Sequence, residues 1–138
     1  MRTNFLFSDQ TEIAEENIIN FPEGLIGFEN LKKFALIDDK SFKPFSWLVS
    51  LERGDVAIPI VNPFLLIREY QKKFPLELLK ELKENNAQYQ VFCVVSKKGQ
   101  NGATTLNLKG PIFIDYIKRE GRQVILSADM LPVNYPLN

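Results

Sequence analysis

The chain repeatedly starts a β-run and repeatedly stops it. Short stretches rich in Phe, Ile, Val and Leu recur at intervals of roughly 8–12 residues, each closed by Gly, Pro, Asn or Asp. They read as Ile18–Phe21, Phe34–Ile37, Phe45–Leu51, Val56–Val61, Gln90–Ser96, Ala103–Leu108, Ile112–Ile117 and Gln123–Ala128, with residues 2–7 also β-compatible. Against these stands one helical pattern, residues 74–85. Pro75 suits its first turn, and Phe74, Leu78 and Leu82 repeat every four residues with Leu79 beside them. That stripe predicts a helix packed on the core. About eight or nine short strands with one amphipathic helix predict a mainly β, antiparallel, barrel-like sheet in a single domain over residues 1–138.

Phe21-Pro22-Glu23-Gly24-Leu25-Ile26-Gly27-Phe28-Glu29 does not fit the strand cadence. Pro22 favours a turn, and Gly24 and Gly27 are places where the backbone can take φ > 0 or approach a neighbour closely. Four large apolar groups, Phe21, Leu25, Ile26 and Phe28, are too many for a solvated loop. The stretch reads as a tight crossing that is itself packed.

Phe45, Trp47, Val49 and Leu51 share one face of a strand; Ser46, Leu48 and Ser50 share the other. Trp47 is expected in the core. Pro59 interrupts the next run, which predicts an edge or bulged strand where another polypeptide can add. Asn62-Pro63-Phe64 and Tyr70 follow as an aromatic corner.

Composition narrows the chemistry. There is no histidine and only one cysteine, Cys93, set among Val91, Phe92, Val94 and Val95. The commonest general base is missing, thiolate zinc sites within one chain are excluded, and Cys93 reads as a buried strand thiol. Ser46, Ser50 and Ser96 lack a histidine to activate them. Gly24 to Gly27 has neither dinucleotide-loop nor phosphate-loop spacing. No catalytic, cofactor or metal site is expected. Met1–Asp9 has too short an apolar core for a secretory leader, and no apolar run approaches the ~18 residues of a membrane span. With the lone cysteine, these features predict a cytoplasmic protein.

Seventeen basic and seventeen acidic residues cancel. That disfavours nucleic-acid binding through bulk charge, although Tyr70, Tyr89, Tyr116 and Phe113 on a small barrel keep a base-stacking alternative open. The charge is uneven: residues 1–31 hold Asp9, Glu12, Glu15, Glu16, Glu23 and Glu29 against Arg2 alone. An acidic N-terminal region suits a basic partner. Glu12, Glu15, Glu16, Pro59, Asn62, Pro63, Phe64 and Tyr70 are therefore the candidate protein-binding residues.

In order along the chain, the 21–29 crossing, Phe34-Ala35-Leu36, Pro44 to Ser50, Asn62-Pro63-Phe64, Tyr70, Thr104 to Leu108, Gly110-Pro111-Ile112 and Gly121 to Leu126 together resemble the flagellar assembly factor FliW family. The resemblance covers nearly the whole chain. It implies a cytoplasmic, non-enzymatic regulator that binds the translational repressor CsrA, a small basic RNA-binding dimer, and so relieves repression of flagellin mRNA. It also implies binding of flagellin before secretion, in competition with CsrA, with no direct nucleic-acid or membrane contact. The chain departs from the family's usual pattern at Val49, at Ala57-Ile58-Pro59 and in its ending, where only Tyr135-Pro136-Leu137 corresponds.

Overall fold

Val91-Phe92-Cys93-Val94-Val95 offers no polar position to water, so a strand made from it needs cover on both faces. The computed structural model describes residues 13–38, 40–84, 89–98, 103–127 and 131–137, and supplies that cover. Nine strands lie among these residues: β1 (Ile18–Asn20), β2 (Lys33–Asp38), β3 (Phe45–Ser50), β4 (Ala57–Val61), β5 (Tyr89–Lys98), β6 (Ala103–Leu106), β7 (Ile112–Asp115), β8 (Glu120–Gln123) and β9 (Tyr135–Pro136). Helix α1 runs Leu76–Glu84. Seven strands close a barrel in the order β4-β3-β2-β1-β8-β7-β5, with β5 returning to β4. β6 and β9 extend from β5 outside the ring.

β5 is long enough to serve two partners on one edge. Its first half pairs with β7, from Tyr89↔Asp115 to Phe92↔Ile112, and its second half with β6, from Val95↔Leu106 to Lys98↔Ala103. Residues 107–111 leave the ladder between them. The other edge meets β4 at Ile60↔Val94 and Val61↔Cys93. Side chains then divide by alternation. Phe92 turns inward with Ile58, Ile60, Ile112 and Ile114, while Cys93 and Val95 turn outward with Val61, Phe113 and Leu106. Helix α1 covers this outer face through Leu78, with Phe74 just before it buried and Leu79 and Leu82 half-buried. The core-facing stripe is as predicted, but the helix begins at Leu76 rather than 74; Phe74 is extended (φ −78°, ψ 139°), as befits a residue before proline. Its predicted last residue, 85, lies outside the described residues, as do residues 2–7.

Three readings need correction. The barrel is not wholly antiparallel, because β1 and β8 run parallel and share one register pair, Asn20↔Glu120. The strand expected at 123–128 lies at Glu120–Gln123. Arg119 takes a left-handed conformation (φ 57°), which lets the turn close in four residues and brings the strand forward. Trp47 is only half-buried, packed against a smaller cluster of Ile13, Ala35 and Val49 on the outer side of β3 and stacked on Phe42 with ring centroids 5.0 Å apart; Leu48 is the residue inside the barrel. The serines beside Leu48 are satisfied: Ser46 donates to Asp38 Oδ1 (2.6 Å), and Ser50 Oγ accepts from the Glu52 and Arg53 amides (3.1 and 2.9 Å).

The thin β1–β8 seam explains the 21–29 crossing. After Asn20 donates its amide to Arg119 O (2.9 Å), the chain runs on beside β8. Phe21 and Leu25 are buried in the inner core with Leu31. Phe21 fits only because residue 121 is glycine: a Cβ there would sit 2.4 Å from the ring. Gly24 needs its freedom twice over, with φ +69° and a would-be Cβ 2.6 Å from Glu29 O. Gly27 also has positive φ, +89°. Ile26 departs from the packed reading and is 55% exposed, its amide donating to Gln123 Oε1 (2.9 Å). The loop's far end is tied down by Glu52 Oε1, which accepts from the Lys32 and Lys33 amides (2.6 and 3.0 Å). Those two amides hold the Glu52 carboxyl below the usual carboxylate range.

Candidate functional site

Asn62-Pro63-Phe64 builds a corner by local chemistry. Asn62 Oδ1 accepts from the Phe64 amide (2.9 Å), and Pro63 opens a 3-10 turn, Pro63–Leu65. This directs Phe64 at Tyr70 and Phe74, with ring centroids 6.0 and 6.4 Å away. Tyr70 and Phe74 meet edge to face at 5.2 Å, and Phe74 meets Phe113 at 5.7 Å. The result is an aromatic spine resting on the outer face of β5 and β7.

Tyr70 does not present itself to a partner. It is 1% exposed and donates its hydroxyl to Leu108 O, while Cys93 Sγ lies 3.7 Å from that hydroxyl. Burial raises the Tyr70 pKa and pushes the Cys93 thiol up to about 12. Cys93 is thus a neutral, inert strand thiol. Tyr70 instead pins the 107–111 excursion from beneath. Asn107 Oδ1 braces it by accepting from the Lys109 and Gly110 amides (3.0 and 3.1 Å), and Gln123 Nε2 donates to Gly110 O (2.8 Å).

Over this floor lies a hollow of about 480 Å³, lined mainly by Ile67, Tyr70, Leu108, Leu131, Pro132 and Tyr135. The tail forms its far wall, held by Leu108 N donating to Pro132 O and Leu137 N to Thr104 O (both 3.0 Å). Leu65 and Leu66, next to Ile67 in the chain, are 65% and 46% exposed. This wide, mostly apolar hollow suits side chains of another polypeptide better than a small polar metabolite. Sequence reading places the corner but misses Leu108, Leu131, Pro132 and Tyr135. The proline-broken tail was the only signal for the last three.

The remaining candidates fall elsewhere. Pro59 does not lie on a free edge, since β4 pairs with β3 along its length and with β5 at Ile60 and Val61. The β5 ladder stops short of Pro59, which has no N–H to donate. The end of the sheet is β9, only two residues long with Pro136 in it, a poor template for an added strand. Glu15 and Glu16 lie exposed in a 3-10 turn, Glu15–Asn17, and do not line the hollow. Glu12 lies outside the described residues. Among the described residues no group of three or more acidic or thiol side chains converges to hold a metal, and no helix is long and apolar enough to cross a membrane.

The architecture and the ordered residues converge with comparison to known proteins. The family model described as FliW protein matches residues 5–137. The chain belongs to the FliW family of flagellar assembly factors. It is 42% identical over 130 residues to the flagellar assembly factor FliW of Caldicellulosiruptor bescii, covering 93% of this chain and 84% of that one. It is 40% identical over 122 residues to its counterpart in Thermotoga maritima, covering 87% and 82%. A crystal structure of the flagellar assembly factor FliW superposes with a TM-score of 0.84 at 25% identity, covering 100% of this chain and 97% of that one. The two structures therefore share one fold along nearly their whole length.

Proposed function

We propose that this flagellar assembly factor works by binding other proteins and catalyses no reaction. It holds the basic repressor CsrA away from flagellin mRNA, and it binds unexported flagellin, which takes CsrA's place. The observation that carries this reading is the FliW family match across residues 5–137. Two surface features support it. The apolar hollow beside the Phe64 corner suits a flagellin helix or tail, and the acidic turn at Glu15 and Glu16 suits a basic partner.

The test mixes the purified chain with purified CsrA and flagellin from the same cell. Each should form a complex by size exclusion, and added flagellin should release CsrA. Phe64→Ala with intact circular dichroism should weaken flagellin binding at least tenfold. A folded wild-type chain that binds neither protein sinks the reading.

A further inference from the structure

The β7–β8 hairpin ends in a tip with large apolar side chains at the surface. Tyr116 and Ile117 stand 47% and 66% exposed at its turn, where polar residues would cost nothing. The tip is nonetheless rigidly built. Asp115, 4% exposed, accepts from the amides of Ile117 and Lys118 through one carboxylate oxygen (3.0 Å each). Arg119 closes the turn with φ 57°, a left-handed conformation unfavourable for a residue with a side chain. Two contacts hold it there: its carbonyl accepts from the Asn20 amide (2.9 Å), and its guanidinium Nη1 donates to Glu15 O (3.0 Å). Ordered apolar side chains on a braced turn lose little entropy on binding, which is how interface anchors work.

The surroundings give the anchor a charge. Arg119 brings the tip against the exposed acidic turn of Glu15 and Glu16. On its other side, a hollow of about 330 Å³ opens between Pro22, Tyr89 and Phe113, with Glu23, Glu120 and Lys118 among its lining groups. Arg122 also reaches this hollow but is paired with Glu81 (2.7 Å). Four exposed acidic residues thus belong to the elements beside the tip, Glu15 and Glu16 on the turn that Arg119 reaches and Glu23 and Glu120 along the hollow, while the tip itself carries two cations, Lys118 and Arg119.

We infer that this tip is the docking anchor for a basic protein surface with an apolar recess, which under the function proposed above is CsrA. Tyr116 and Ile117 fill the recess, and the neighbouring acidic residues steer the approach. The tip and the Phe64 corner are different sets of residues, and Tyr89 lines a hollow beside each. The inference rests on the CsrA reading and is tested beside it.

Association and dissociation rates of purified CsrA are measured on immobilised wild type, Ile117→Ser, Tyr116→Ser and the pair Glu15→Lys with Glu16→Lys, with flagellin binding as the check on folding. Ile117→Ser and Tyr116→Ser should each raise the CsrA dissociation rate at least tenfold and leave flagellin binding intact. The charge-reversed pair should slow association at low salt, with the difference fading as salt rises. An Ile117→Ser chain that binds both proteins like wild type, or that loses flagellin while keeping CsrA, overturns the assignment of the tip. A wild-type chain that binds flagellin but never CsrA removes the CsrA reading itself, and the assignment with it.

Discussion

β5 has a core on each face, and the two are built differently. The inner core is walled by strands, and its members Phe34, Leu48, Ile58, Ile60, Phe92, Ile112 and Ile114 follow from period-two alternation within each strand. The outer core is roofed by pieces: α1, two 3-10 turns, the 107–111 excursion and the tail. Strands hide their backbone in the ladder and can form a closed wall. Irregular pieces meet at angles and leave apolar side chains showing, among them Leu65, Leu66, Leu76 and Val133. The barrel is thus the scaffold, and apolar side chains show on the roof and at barrel turns such as Tyr116 and Ile117.

The largest expected effect attacks the inner side. Phe21→Ala empties a fully buried ring position at the parallel seam and should cost about 3–5 kcal/mol in urea unfolding. The seam has a single strand pair to fall back on, so expression at 37 °C should fail before binding does. Gly121→Ala pushes a methyl into the same ring and should cost about 1–3 kcal/mol. Combined with Phe21→Leu its cost should shrink, a coupling readable in a double-mutant cycle. If the two costs simply add, the seam is not closed by that contact.

On the outer side, Tyr70→Phe removes the hydroxyl that Leu108 O relies on and should cost about 1–3 kcal/mol. It should also loosen the 107–111 excursion, seen as faster amide exchange at Lys109 and Gly110 while β2 and β3 stay protected. Uniform loss of protection would mean the two cores do not separate. Arg122→Ala cuts the half-exposed link between β8 and α1 and should cost no more than about 1 kcal/mol.

The smallest effect concerns pH. The folded Glu52 carboxyl titrates below the ordinary glutamate value of 4.5 because the Lys33 and Lys32 amides donate to it. Its contribution is therefore present above pH 4.5 and is lost as pH falls through the lower folded value. Glu52→Gln should flatten that part of the acid-unfolding curve, with little change at pH 7. An unchanged acid limb would show that the tie does not hold the loop.

Some of this was local enough to read directly. The two-faced apolar run of β5, the Phe74–Leu78–Leu82 stripe, the strand cadence and the glycines of the crossing depend on neighbours a few residues away, where backbone geometry links sequence to structure. The Asn62 cap and Pro63 turn are likewise local. The acidic pair Glu15 and Glu16 was legible only as charge; its neighbour Arg119 lies about a hundred residues on.

What the chain could not reveal alone was which positions would find cover. Trp47 and Leu48 are both apolar neighbours on one strand, and only closure of the ring decided that Leu48 went inside. Tyr70 looks like a surface aromatic until Leu108 arrives from 38 residues away to take its hydroxyl. Pro59 looks like an edge until β5 reaches its strand. Periodicity and backbone freedom are properties of short segments, whereas burial is a property of pairs that meet only when the chain has folded.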